Sequence, residues 1–210
     1  SNNNVYSNTI TTSRSNGYGA FLFSSSNNNN VYSNNITTSN ISSYGIYLNS
    51  NVYNSTIYDN NITTKNMTSS YGIYLLQNVN NNTFYRNRIS SLAIGILING
   101  TGQTAAQTTR ANTFTNDTII PCTTGCASNY YDIVLTANAT DITFLNVSFN
   151  KSRISFMPRS PAKPVEKNNL TVQWYLSVNV TNSTDNNPIA GAQVVINDTN
   201  SLNIFNSTTD

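Results

Sequence analysis

Histidine is absent from this 210-residue chain, and charge is scarce: ten Lys and Arg and eight Asp and Glu make up 9% of it. Without imidazole, the commonest general base and metal ligand is missing, so neither a metal nor another cofactor is expected. The ten cations are scattered, with no run able to track phosphates, and a net charge of +2 is no acidic tail. Nucleic acid is therefore not an expected partner. No stretch approaches the ~18 apolar residues of a membrane span, and no basic-then-apolar leader opens the chain. Ala, Leu, Glu and Lys are few, and abundant Asn and Thr depress helix propensity throughout. Residue 1 is Ser, directly ahead of a repeat motif, so the chain reads as a mature or excised part of a longer precursor.

Cysteine is nearly absent too. Cys122 and Cys126 are the only two, and Pro121-Cys122-Thr123-Thr124-Gly125-Cys126 reads as a small disulfide loop in which Gly125 eases the turn. Two thiolates alone do not close a tetrahedral zinc shell, and the pair lacks the C-x-x-C spacing of redox sites.

What is present is a repeat. Val5-Tyr6-Ser7-Asn8-Thr9-Ile10 returns as Val31-Tyr32-Ser33-Asn34-Asn35-Ile36, Ile57-Tyr58-Asp59-Asn60-Asn61-Ile62 and Phe84-Tyr85-Arg86-Asn87-Arg88-Ile89. Looser copies run from Phe114 to Ile119 and from Phe144 to Phe149, at steps of 26, 26, 27, 30 and 30 residues. A period in this range means stacked supersecondary units sharing one core. Between these copies lies a second ladder: Gly19-Ala20-Phe21-Leu22, Gly45-Ile46-Tyr47-Leu48, Gly72-Ile73-Tyr74-Leu75, Gly95-Ile96-Leu97-Ile98 and Asp132-Ile133-Val134-Leu135. Alternation within each run turns Ala20/Leu22, Ile46/Leu48, Ile73/Leu75, Ile96/Ile98 and Ile133/Leu135 to one side.

Short strands separated by Asn, Ser, Thr and Gly corners, at this period, predict an all-β chain: a parallel β-helix. Val5, Val31, Ile57, Phe84, Phe114 and Phe144 form one expected inward column, and Ile10, Ile36, Ile62, Ile89, Ile119 and Phe149 another. Asn8, Asn34, Asn60 and Asn87, then Asp117 and Val147, form a third column, where an inward amide can pair buried backbone groups. A leucine-rich solenoid has a similar period, but would need Leu-dominated positions and a helical convex side.

The runs Asn34-Asn35-Ile36-Thr37, Tyr44-Gly45-Ile46-Tyr47-Leu48 and Asn60-Asn61-Ile62-Thr63 resemble right-handed parallel β-helix repeats of the NosD-like, carbohydrate-binding and sugar-hydrolase type. The resemblance covers about residues 1–150. It implies a right-handed β-helix of a kind common at microbial, especially archaeal, surfaces. It implies no activity, because that scaffold carries lyases, hydrolases, adhesins and inert spacers alike.

Asn-x-Ser/Thr sequons are the other dominant feature: Asn35, Asn40, Asn54, Asn61, Asn66, Asn81, Asn99, Asn116, Asn138, Asn146, Asn150, Asn169, Asn179, Asn182, Asn197 and Asn206. A chain this rich in Asn, Ser and Thr produces the triplet by chance as well. Yet Asn35 and Asn61 sit one step off inward Ile36 and Ile62, which turns them outward, and they are equivalent one repeat apart. Asn40 and Asn66 are equivalent in the same way, as are Asn116 and Asn146. Substantial N-glycosylation in an extracellular or cell-surface compartment is the expectation, the sugar solubilising a surface with few charges.

The repeat fades after about Asn150. The expected organisation is a β-helix over 1–156, a Pro-containing linker over 157–168 and incomplete Ig-like strands over 169–210. Leu170, Val172, Trp174, Leu176, Val178 and Val180 alternate as a long strand; Gln193 to Ile196 and Leu202 to Phe205 read as two more. The run with Pro188-Ile189-Ala190-Gly191-Ala192 resembles the start of an Ig-like or carboxypeptidase-regulatory-like sandwich. Such a module needs about seven strands over roughly 100 residues. The expectation is therefore that the chain continues in the precursor, or that a homo-oligomer forms through these strands and the open β-helix ends.

Catalysis on polysaccharide needs two carboxyls a few ångströms apart. Asp59 and Asp117 lie at different positions of the motif, Asp132 replaces a ladder Gly in a turn role, and Arg86 and Arg88 share a coil with no acid expected at equivalent positions. No enzyme is expected. Tyr6, Tyr32, Tyr58 and Tyr85 follow inward residues and should face outward and stack, as should Tyr47 and Tyr74. Such rows serve either sugar or partner contact, or plain cross-strand stacking. The reading is a structural surface glycoprotein, heavily N-glycosylated, self-assembling into an array or filament. A carbohydrate-binding adhesin is the alternative, and a polysaccharide lyase or hydrolase the third.

Overall fold

The computed structural model describes residues 2–100, 108–157, 167–176, 178–197 and 203–208; side chains at 196, 197 and 203–206 lie outside the description. Contacts divide the chain into two units, 1–174 and 175–210.

The first unit is a parallel β-solenoid of about six turns, whose strands fall into four sheets. Sheet 1 stacks Asn4–Tyr6, Asn30–Tyr32, Thr56–Tyr58, Thr83–Tyr85, Thr113–Thr115, Ile142–Leu145 and Leu170–Gln173. Sheet 2 stacks Thr9–Thr12, Asn35–Thr38, Asn61–Thr64, Arg88–Ser91 and Thr118–Ile120. Sheet 3 holds Ala20–Phe23, Ile46–Asn49, Tyr71–Leu76, Ile94–Asn99, Tyr131–Thr136 and Ile154–Met157. Sheet 4 is the narrowest: Val52–Tyr53, Val79–Asn80, Thr109–Arg110 and Ala139–Thr140.

One residue in the left-handed region makes each turn from sheet 1 to sheet 2. Ser7, Ser33, Asp59, Arg86, Asn116 and Asn146 all have φ of 54–56°. Asn28, Asn54, Asn81, Ala111 and Asp141 do the same ahead of sheet 1, at 52–57°. Asn and Asp visit this region more readily than most residues, so an Asn-rich chain suits a fold with a sharp corner at every strand end.

Register follows the repeat. Val31 pairs with Ile57, Phe84 with Ile57 and Phe114, and Phe114 with Phe144, so the first inward column is continuous and buried. Val5, in the first coil, is 37% exposed. Ile36, Ile62, Ile89 and Ile119 form the second column, and the Thr118–Ser148 bridge places Phe149 beside it.

The ladder glycines have a packing reason. A Cβ on Gly45 would meet Ile62 Cγ2 at 2.2 Å and the Gly72 carbonyl at 2.6 Å; on Gly72 it would meet Ile89 Cγ2 at 2.3 Å and the Gly95 carbonyl at 2.7 Å. Sheet 3 thus approaches the isoleucine column too closely for a side chain.

Leu170–Gln173 departs from expectation. It is the seventh strand of sheet 1, pairing in parallel with Ile142–Leu145, with Val172 in register with Phe144. Its alternation satisfies a solenoid coil as readily as a sandwich strand, and the exposed edge of Ile142–Leu145 lies where it can be paired. The strand ends at Gln173, not Val180. Of the expected linker over 157–168, residues 158–166 lie outside the described residues; Met157 closes a sheet 3 strand, the Lys167 N–H donates to Asn138 Oδ1 (3.0 Å), and Asn168 Oδ1 accepts from the Ala139 N–H (2.9 Å). The second unit contains a two-stranded antiparallel sheet, Gln193–Asn197 with Asn203–Thr208, and a Thr181–Pro188 bridge.

Candidate functional site

Asparagine is used in two opposite ways, and the inward use is the better defined. Asn8 donates both its backbone N–H (3.1 Å) and Nδ2 (3.1 Å) to Asn34 Oδ1. Asn34 does the same to Asn60 (3.1 and 3.0 Å), and Asn60 to Asn87 (3.1 and 2.9 Å). The spare amide hydrogen goes to backbone carbonyls: from Asn60 Nδ2 to Val31 (2.9 Å) in the coil below and to Tyr58 (3.0 Å) in its own coil. Every rung therefore satisfies buried groups that no sheet ladder reaches at a corner.

The ladder ends on a carboxyl. Asp117 Oδ1 accepts from the Asn87 N–H (2.7 Å) and Nδ2 (2.9 Å), while Oδ2 is buried without a partner. Burial, against the pull of the Asn87 hydrogen bonds and of the Thr115 backbone, pushes this carboxyl up to about 7. Val147, fully buried, follows it in the column.

A second ladder escaped sequence reading. Asn29 accepts from the Asn3 N–H (3.1 Å), Ser55 Oγ from the Asn29 N–H (3.2 Å), Asn82 Oδ1 from the Ser55 N–H (2.9 Å) and Asn112 Oδ1 from the Asn82 N–H (3.1 Å). Ser55 interrupts its sequence signature, and the runs Asn27–Asn30 and Asn80–Asn82 hide which amide points inward.

The outward rows are of two kinds. Tyr6, Tyr32, Tyr58 and Tyr85 stack nearly parallel, with centroids 5.0, 4.7 and 4.7 Å apart, and the Arg86 guanidinium lies 4.7 Å above the Tyr85 ring centre. The ring faces between them are therefore taken, and the row presents edges and hydroxyls. Burial, then neighbouring tyrosines, holds the Tyr32 hydroxyl above its usual range.

Tyr47 and Tyr74 differ from expectation: they leave the core side but are only 7% and 9% exposed. Tyr44 and Tyr71, three residues earlier across the ladder Gly, lie edge-on over them at 5.0 and 5.2 Å. With Tyr18, Leu97 and Val134 they make a separate apolar cluster outside sheet 3. Burial pushes the Tyr44, Tyr47 and Tyr74 hydroxyls well up.

Arg86 does have an acid at its equivalent position. Asp59 and Arg86 occupy the same left-handed corner in adjacent coils, and both carboxylate oxygens accept from Arg86 Nε and Nη2, each at 2.8 Å. The Arg86 bonds hold Asp59 below its usual range. Such an exposed, solvent-screened pair contributes little to stability.

Asp132 is not in a turn. It is buried within Tyr131–Thr136, and its carboxylate accepts from Tyr130 Oη (2.5 Å) and the Asn150 N–H (2.6 Å). Tyr130, its hydroxyl pushed up to about 12 by burial and this bond, also accepts from the Cys122 N–H at 3.0 Å. Cys122 and Cys126 are disulfide-bonded, with Cα atoms 5.9 Å apart. Because Tyr130 and Asp132 hold the base of this loop independently, Cys122→Ser with Cys126→Ser should lower stability by no more than about 2 kcal/mol. Urea denaturation followed by circular dichroism reads this; loss of the strand signal in the double variant would contradict it.

No sequon asparagine whose side chain the structure describes is buried. Asn35, Asn54, Asn61, Asn81, Asn116, Asn150, Asn169, Asn179 and Asn182 are exposed, and Asn40, Asn66, Asn99, Asn138 and Asn146 half-buried. Asn197 and Asn206 lie in strands whose side chains there fall outside the described residues. The rows are real neighbours: Asn61 Nδ2 donates to Asn35 Oδ1 (3.1 Å), and Asn146 Nδ2 to Asn116 Oδ1 (2.8 Å). The Ser42 N–H bond to the Thr68 carbonyl (3.4 Å) keeps the Asn40 and Asn66 loops in step.

Tyr53, Asn78, Asn80, Asn81, Arg110 and Asp141 line an open polar groove at sheet 4. Among the described residues no group of three or more His, Cys, Asp or Glu is placed to hold a metal ion, and no helix is long and apolar enough to cross a membrane. No protein-family model matches the chain, and no curated protein or solved structure matches it significantly.

Proposed function

We propose that this chain is a structural glycoprotein of a cell surface or extracellular matrix, N-glycosylated along its solenoid and self-assembling. The observation that carries this reading is the partition of asparagine. Asn29, Asn34, Asn60, Asn80, Asn82, Asn87 and Asn112 are buried, and none begins a sequon. Alternation supplies the reason: an inward Asn has an inward residue two positions on, whereas Asn35 and Thr37, or Asn61 and Thr63, share the outward side and are open to a transferase. The disulfide supports an oxidising compartment. A right-handed coil follows from the hand of parallel crossovers. For the C-terminal unit, an Ig-like sandwich completed by strands of a partner copy is the reading, because the antiparallel pair among its described residues is by itself marginal in water. An adhesin reading is weaker, because the stacked Tyr row offers no free ring face between its members.

Native material should have a mass well above the bare 23.0 kDa, with Asn35, Asn61, Asn54 and Asn81 among the occupied sites on glycopeptide mapping. It should sediment as an oligomer. A bare mass would overturn the glycoprotein reading, and a monomer the self-assembly.

A further inference from the structure

The interior of the solenoid holds one acid in a position built for an amide. At Asn34 and Asn60, the Nδ2 group donates to the carbonyl two residues back and to one in the coil below, Tyr32 and Val5 for the first, Tyr58 and Val31 for the second. At Asp117 the equivalent carbonyls are those of Thr115 and Phe84, since Phe84 pairs with Phe114. The atom in the Nδ2 position is Oδ2, which is enclosed and makes no hydrogen bond, although the Thr115 backbone, like Asn87, favours the charged form. An ionised carboxylate there would set its unpaired oxygen among carbonyl oxygens inside an apolar core. A protonated one places an O–H where each Asn rung has an N–H, and restores the ladder.

We propose that Asp117 is a proton-binding rung: the folded solenoid takes up a proton there, and its stability rises as the medium becomes acidic. Among the described residues no cation answers the charge instead. Asn87 faces Asp117 from the coil below, Val147 from the coil above and Thr115 from the strand before it in its own coil, and none of these titrates. Arg86 and Arg88, the cations nearest in sequence on the coil below, are exposed, and Arg86 is engaged by Asp59. The upward shift of the carboxyl, caused by burial, agrees with this geometry. Its sign is fixed by linkage. A folded-state value raised above the ordinary Asp value of about 4 means that the folded chain holds the proton through a window where the unfolded chain has lost it. The stabilisation is complete below about pH 4 and is lost as pH rises through about 7.

The test is urea denaturation of the full chain and of Asp117→Asn between pH 4.5 and 8.5, with infrared spectroscopy of both. Asp117→Asn leaves the Asn116 sequon intact, since Thr118 is unchanged. The parent should lose between about tenfold and a thousandfold in its folding equilibrium constant across this window, and the variant should lose much less. Above pH 8 the variant should be the more stable, because its amide donates where the carboxylate cannot. At pH 5 the parent should show a protonated-carboxyl C=O band that the variant lacks. Equal pH dependence in the two proteins, a less stable variant at pH 8, or no such band would each overturn the proposal.

Discussion

Gly72→Val should leave the chain without a stable solenoid at room temperature. Even one added carbon on Gly72 falls 2.3 Å from Ile89 Cγ2 and 2.7 Å from the Gly95 carbonyl. The isoleucine could shift, but the carbonyl belongs to the next strand of sheet 3 and is held in the ladder. Overpacking of this kind costs about 1–3 kcal/mol where a core can relax, and more where backbone must move. Gly72→Ala should therefore cost at least about 3 kcal/mol, and Val, branched at Cβ, more than a domain of ordinary stability tolerates. Ile89→Ala combined with Gly72→Ala should recover part of the loss relative to additivity, because it removes one of the two obstructions. Gly125→Ala is the control: it has nothing within 4 Å and only its φ of +65° to resist, worth about 1–2 kcal/mol. Urea midpoints rank these variants together with Ile89→Ala alone, which the additivity comparison requires. A Gly72→Val protein as stable as its parent would mean that the sheets lie farther apart than described.

The second large effect belongs to the amide ladder. Asn60→Ala removes the acceptor of the Asn34 N–H and the donor to the Val31 carbonyl, both buried and without access to water. Each orphaned group costs about 1–3 kcal/mol, and a cavity adds to it, so a loss of about 3–5 kcal/mol is expected. Asn60→Asp is the more telling variant. It keeps the acceptor and loses the donor, which reproduces the Asp117 arrangement inside a rung now flanked by amides. Its stability should fall steeply between about pH 5 and 8 and approach that of the parent in acid. Asn35→Ala, on the exposed side of the same coil, should change stability by less than about 0.5 kcal/mol. If Asn60→Ala proves as mild as Asn35→Ala, the ladder is ornament to the sheets rather than their support.

Much of this interior is legible in the linear chain. The period of 26 to 30 residues, the columns from Val31 to Phe144 and from Ile36 to Ile119, and the succession Asn60, Asn87, Asp117, Val147 all follow from spacing. In a parallel solenoid, spacing is register: equivalent residues stack by construction, and a period-2 strand leaves no freedom in which side faces in. The outward stack of Tyr6, Tyr32, Tyr58 and Tyr85 is legible for the same reason. So is the accessibility of Asn35 and Asn61.

What the linear chain concealed has a common cause. Alternation says which side of a strand a residue leaves from, but not what lies over it. Tyr47 and Tyr74 leave the outward side and are nonetheless buried, because Tyr44 and Tyr71 fold back over them once the coils stack. Asp59 and Arg86 sit at one corner position in adjacent coils, yet their pairing waits on a left-handed turn that aims both side chains alike. The second Asn ladder depends on which member of an Asn run the corner turns inward, and a run of identical residues carries no such mark. Leu170–Gln173 alternates as any half-buried strand does; that it completes sheet 1 was decided by the open edge of Ile142–Leu145, a partner that exists only when the solenoid is built. Direction was local, and cover was not.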